Sequence, residues 1–199
     1  MNKPDISRLL EFQKLLLQFS QIERVTHRQN QQKEFILEND AEHSYTLALT
    51  AWFLCEYFPE LDRDLVIRIA LVHDLVEIHA GDTYIYAAPS VIATKDGREV
   101  AAFATLKDEW ADFPEMLEHI QEYKKRESPE ARFVYALDKI MPIMQIYIHD
   151  GYTWKQEGIT PERLDEVKRH RVALSPEIDP YYQELYELLL KSPGHFPTK

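Results

Sequence analysis

"IALVHDLVEIHAGD", residues 69–82, is the stretch on which the reading of the fold turns. Ile69, Leu71, Val72, Leu75, Val76 and Ile78 give it the spacing of a helix meant for the interior. His73, Asp74, Glu77, His79 and Asp82 are set into that run. An unpaired buried charge is strongly destabilising, so such groups are normally paired or bound to a metal. The pattern predicts a helix over 63–79, with Asp62 as cap and Gly81 as stop. On that helix His73 and Glu77 share a face, and Asp74 lies one step round.

Working outward, the same helical spacing recurs along the chain. Residues 5–22 carry Ile6, Leu9, Leu10, Leu16, Leu17 and Phe19, with Asp5 as a cap. The polar segment "ERVTHRQNQQKEFILEND" reads as a loop or short hairpin, and 41–58 as an apolar helix ended by Pro59. Residues 82–97 show no period and read as a loop punctuated by Pro89 and Gly97. Helices are expected over 98–112, 115–125, 129–149, 161–173 and 177–191, with prolines where a first turn tolerates them. Residues 193–199, ending the tail "SPGHFPTK", are expected to fray. The expected fold is all-α, one domain over 1–199.

The bulk numbers agree with that class. A chain of 199 residues with 45% hydrophobic content buries a substantial core, and five glycines disfavour a turn-rich β fold. No stretch nears the roughly 18 apolar residues of a membrane span. The start "MNKPDISRLL" lacks a secretion signal, and the lone Cys55 makes no disulfide framework, so a cytoplasmic address is expected. A net charge of −11, from 23 Lys+Arg against 34 Asp+Glu, argues against nucleic-acid polymers as partners. A small anionic substrate remains open if a local cation offsets the acidic field. Oligomeric state stays open, a homodimer included.

Two further segments hold misplaced polar groups. In "NDAEHSYTLALTAWFL", His43 enters the first turn of an apolar helix. In "FVYALDKIMPIM", Asp138 interrupts an apolar run, and Pro142 four residues on has no N–H for its carbonyl. Alone, His43 reads as a core histidine, and Asp138 as an acid paired with Arg132 or Lys139. Together with His73 and Asp74 they would form an N₂O₂ set for a divalent cation.

The order His43, His73-Asp74 about 30 residues on, then Asp138 about 65 later, resembles the HD-domain metal-dependent phosphohydrolases. "NDAEHSYTLAL", "ALVHDLVEIHAGD" and "SPEARFVYALDKIMPIMQIY" are similar to the branch of the 5′-deoxynucleotidases and their HD-domain-containing relatives, over about residues 8–172. The resemblance implies an all-helical HD-domain bundle and one divalent metal (Mn, Co, Zn, Fe or Mg) on His43, His73, Asp74 and Asp138. It implies that Glu77 and Asp82 handle water and substrate, and that an arginine ahead of the first histidine contacts phosphate. Arg24 in "SQIER" matches that arginine, with Arg28 as the alternative; Glu122 matches an acid often found at its position.

The chemistry expected is hydrolysis of a nucleoside 5′-monophosphate by water activated at the metal. The five glycines never cluster, so no phosphate loop is present and cations must meet the phosphate. Tyr84 or Tyr86 would stack on the base. A triphosphate or pyrophosphate hydrolase would need Lys139, Arg132 or Lys95 as well. A third reading is a non-catalytic metal or nucleotide binder, for which Glu77 and Asp82 would both be superfluous.

Overall fold

Asp5 starts the first helix, α1 (Ile6–Phe19), by accepting from the Arg8 backbone N–H. It does so in a computed structural model that describes residues 3–198. The polar segment that follows is a hairpin of β1 (Glu23–Gln29) and β2 (Phe35–Asn39). The strands are antiparallel, with His27 opposite Leu37 and an irregular register between Glu23 and His27. β2 runs directly into α2 (Asp40–Cys55), where Asn39 and Glu42 close a reciprocal capping box.

Asp62 caps α3 (Arg63–Val72), and here the structure departs from the expected continuous helix over 63–79. The His73 ring holds the Ala70 carbonyl oxygen at 2.9 Å, and the chain goes on in tighter turns. Leu75 N–H reaches the Val72 carbonyl and Glu77 N–H the Asp74 carbonyl before the short α4 (Glu77–Ala80). Gly81, at φ 73°, then ends the segment. The break places both His73 and Asp74 in a turn.

The expected loop over 82–97 is half helix. α5 (Pro89–Glu109) starts on Pro89 in its first turn, and Gly97 lies inside it. An interior glycine weakens a helix by only about 1 kcal/mol, so packing overrides it. α6 (Pro114–Lys125) and α7 (Pro129–Ile148) follow; Ser128 caps α7 and Pro142 lies within it. A further helix that the sequence did not signal, α8 (Tyr152–Glu157), is fenced by Gly151 and Gly158, both at positive φ. α9 (Pro161–Val172) and α10 (Asp179–Leu190) follow, and a short 3-10 helix over Pro193–His195 completes the helices among the described residues.

Two hydrophobic clusters flank the His73-Asp74 turn. Leu47, Val66, Phe133, Leu137, Ile140 and Leu164 belong to the larger, which joins α2, α3, α7 and α9. Phe19, Leu75, Leu106, Trp110 and Met116 belong to the smaller, between α1, α5 and α6. The tail expected to fray is held at His195 and Phe196, while Pro193, Gly194 and Thr198 are exposed, and Lys199 lies outside the described residues. Phe196 is buried and stacks on Trp154 with centroids 4.8 Å apart, and His195 stacks on Tyr147 at 4.9 Å. Among the described residues no helix is long and apolar enough to cross a membrane.

Candidate metal centre and substrate cavity

Three separate elements bring the expected ligands together. His43 comes from the start of α2, His73 and Asp74 from the turn after α3, and Asp138 from mid-α7. One ligand atom from each lies within 4.8 Å of all the others. His43 Nε2 is 3.0 Å from Asp138 Oδ1; His73 Nε2 is 3.0 Å from Asp74 Oδ2 and 4.0 Å from Asp138 Oδ1. Asp138 is aimed by its other oxygen, Oδ2, which accepts from Tyr123 Oη at 2.6 Å and Lys139 Nζ at 2.5 Å.

These residues fit a divalent cation on their own chemistry. A carbonyl only accepts, so His73 Nδ1 must be the N–H that donates to Ala70. In a neutral ring Nε2 is then a bare lone pair, buried and without a hydrogen bond, facing two carboxylates. A cation between these groups turns three mutual repulsions into three attractions. Two imidazoles with two carboxylates suit borderline divalent metals.

The electrostatics divide the acids into two sets. Burial and the Arg24 charge press His43 down to about 4, so its ring is neutral near pH 7. Burial alone would raise Asp74, but the His73 ring in its protonated form, which Asp74 and Asp138 favour, and Arg24 hold it well below the carboxylate range. Asp138 is likewise held down, by Lys139 and His43 against burial. The second set behaves in the opposite way. Burial, then Asp74, Asp40 and Asp82, push Glu77 well above its usual range, and burial with Asp74 raises Asp40 to about 6. Among the described residues neither Glu77 Oε2 nor Asp40 Oδ2 has a hydrogen-bond partner.

Asp40, Asp74 and Glu77 also lie close enough to ligate an ion, but a cation already stands there. Arg24 Nη1 is 2.9 Å from Asp40 Oδ1 and 3.0 Å from Asp74 Oδ2, and its Nε is 3.5 Å from Glu38. Burial carries Glu38 up to about 7 despite that neighbour.

The centre opens on a cavity of about 790 Å³ whose lining includes Arg24, Glu77, Asp82, Tyr84, Tyr86 and Lys168. Two expected contacts are not part of that lining. Arg28 is paired through Nε and Nη2 with Glu42, at the head of α2. Arg24 and Arg28 have the same parity in a regular strand, and the irregular register between Glu23 and His27 separates them. Glu122 instead accepts from Ser128 Oγ at 2.7 Å, supporting the α7 cap, while its neighbour Tyr123 takes the cavity position. One residue along a helix is a rotation of about 100°, enough to swap wall for surface.

Sequence reasoning passed over Asp40, Glu38, Tyr123 and Lys168. Asp40 and Glu38 sit beside Asn39, whose capping signal accounts for acids there. Lys168 lies in the charged run "EVKRHR" and carries no signal of burial, yet it is 6% exposed.

Comparison with known proteins gives this geometry a family. The model of the HD domain matches residues 18–179, and the chain belongs to that family. It is similar to 5'-deoxynucleotidase YGK1 of Saccharomyces cerevisiae, 28% identical over 167 residues, covering 75% of this chain and 74% of that protein. With 5'-deoxynucleotidase HDDC2 of Xenopus laevis it shares 32% identity over 142 residues, covering 69% and 67%. Among solved structures, a metal-dependent phosphohydrolase from Magnetospirillum magnetotacticum superposes with a TM-score of 0.78 at 31% identity, covering 96% of this chain and 100% of that one.

Proposed function

We propose that this protein is a metal-dependent phosphomonoesterase that removes the 5′-phosphate from nucleoside monophosphates, deoxynucleotides foremost. The observation that carries the proposal is the convergence of His43 with His73, Asp74 and Asp138, the last three on the wall of a cavity of about 790 Å³. That volume suits a nucleotide-sized ligand. Two similar proteins, from yeast and Xenopus, are named 5'-deoxynucleotidases.

His43, His73, Asp74 and Asp138 would hold the cation, which when bound supplies charge that acidifies water and offsets a phosphoryl oxygen. Glu77 accepts the proton of the attacking water. Its buried acidic surroundings make it a stronger base than an ordinary carboxylate, which matches that task. Water adds to phosphorus, the bond to the 5′ oxygen breaks, and that oxygen leaves with a proton; Asp82 assists at the leaving sugar oxygen. Arg24 orients the phosphate from its place between Asp40 and Asp74. Tyr84 and Tyr86, with ring centroids 5.3 Å apart, offer aromatic faces to the base. The expected setting is the cytoplasm, with a small nucleotide and no nucleic-acid polymer as partner.

A triphosphate substrate has less support, because the basic residues it would recruit are committed. Lys139 is bound to Asp138, Lys95 lies 3.3 Å from Glu99, and Arg132 donates to the Glu127 carbonyl. The test is phosphate release from nucleoside mono-, di- and triphosphates with Mn²⁺, Co²⁺ or Mg²⁺. Monophosphates should be turned over, Asp74→Ala should lose metal, and Glu77→Ala should keep metal but lose turnover. Turnover of triphosphates alone, or an active Glu77→Ala, overturns the reading.

A further inference from the structure

Lys168 is the one cation among the described residues that is buried, and it stands on the cavity wall. Among the described residues its ammonium makes neither a hydrogen bond nor an ion pair, whereas most cations around it are taken. Arg24 is shared by Asp40 and Asp74, Lys139 by Asp138, and Lys124 by Asp96 and Glu99. Arg171, one turn along α9 from Lys168, also lines the cavity, and its guanidinium reaches only the Val167 carbonyl oxygen. A buried lysine without a partner is destabilising in the empty protein, so its place on the wall calls for an anion.

Which anion follows from where Lys168 stands. It lines the same cavity as His73, Asp74 and Asp138 of the metal centre, with Arg24, Lys139 and Arg171 also on that wall. A phosphate monoester approaches that centre carrying close to two negative charges. The acids on the wall repel it, Lys139 is held by Asp138, and Arg24, shared between Asp40 and Asp74, orients the group without balancing both its charges. Resting on the function proposed above, we infer that Lys168, supported by Arg171, forms the anion subsite that receives the substrate's phosphate group. Burial, with Lys139 next, brings the Lys168 ammonium down to about 7, and an arriving phosphate restores its full charge.

The experiment uses the full chain and reads binding apart from turnover. Inorganic phosphate is titrated in a thermal-shift assay on chelator-treated protein, for wild type, Lys168→Met, Lys168→Arg and Arg171→Gln. Phosphate should raise the wild-type Tm, as a ligand of the folded state does. The response should vanish in Lys168→Met, return in part in Lys168→Arg and weaken in Arg171→Gln. With Mn²⁺ and a deoxynucleoside monophosphate, Lys168→Met should raise KM about tenfold to a hundredfold, the worth of a charged hydrogen bond, with a smaller change in kcat. A wild-type Tm indifferent to phosphate overturns the inference. So does Lys168→Met with a wild-type phosphate response and a KM within twofold of wild type. Should Lys168→Met fail to fold, an unchanged phosphate response in Arg171→Gln overturns it equally. A wild type that binds phosphate yet hydrolyses no nucleoside monophosphate refutes the proposed activity and leaves the subsite standing.

Discussion

Tyr123→Phe isolates the group that aims one metal ligand. The Tyr123 hydroxyl donates to Asp138 Oδ2 at 2.6 Å, and the same oxygen takes Lys139 Nζ at 2.5 Å. Fixing Oδ2 leaves Oδ1 turned toward His43 and His73. The phenyl ring survives the substitution and keeps its edge contact with His73, centroids 5.0 Å apart, so the hydroxyl alone is removed. A hydrogen bond to a charged group contributes about 1.5–3 kcal/mol. Each ~1.4 kcal/mol is a factor of ten in affinity, so the metal should bind about 10- to 100-fold more weakly, the range found for other groups that orient metal ligands. Mn²⁺ or Co²⁺ titration against a competing chelator measures this directly. At saturating metal, KM for the nucleotide should match wild type, because Tyr123 acts through Asp138. A metal Kd within twofold of wild type would show that Lys139 orients the carboxylate unaided and refute the reasoning.

Arg24→Ala should raise KM strongly, whereas Arg28→Ala should leave KM alone and lower stability by under about 1 kcal/mol, as for a surface pair; steady-state kinetics and urea melts separate the two. Lys168 gives a pH signature. Between about 7 and the usual lysine value near 10.5 the unfolded chain holds a proton that the folded chain releases, so wild-type stability rises with pH across that window. Lys168→Met should therefore be more stable than wild type below pH 7, by about 5 kcal/mol at most, and the gap should close toward pH 10. Equal melting temperatures at pH 6 would refute this. Phe196→Ala should lower the unfolding free energy by about 3–5 kcal/mol in urea; a loss under about 1 kcal/mol would mean that the tail does not hold its place.

The candidate metal ligands were legible because each is a polar group in an apolar run: His43 ahead of Leu47 and Leu49, His73-Asp74 amid Ile69 to Ile78, Asp138 between Leu137 and Ile140. Burying such groups needs compensation, and periodicity exposes them. Asp40, Glu38 and Lys168 lie in polar stretches where a charge is the ordinary occupant, so nothing local marks their burial. Glu122 lies off the cavity lining and Tyr123 within it, a difference of helical phase that a motif match does not fix. The hairpin was legible as a hairpin or loop, but not the register shift that sends Arg24 inward and Arg28 to Glu42. The interruption at His73 was hidden because the bond from its ring to Ala70 is not a matter of propensity. The extra turns of α5 ahead of Arg98 were hidden because Gly97 resembles a stop.

The packed end of the chain bears on how this enzyme is handled. Trp154 lines the cavity and also stacks on Phe196, the two rings only 7° from parallel. Gly151, near the start of that helix, has no room for even a methyl group, which would collide with the His195 carbonyl oxygen at 1.7 Å. An affinity handle fused after Lys199 therefore pulls on a lever whose other arm is the floor of the reaction chamber. Preparations carrying such a handle should be compared with ones tagged ahead of Met1 before any weak turnover is blamed on the wrong substrate.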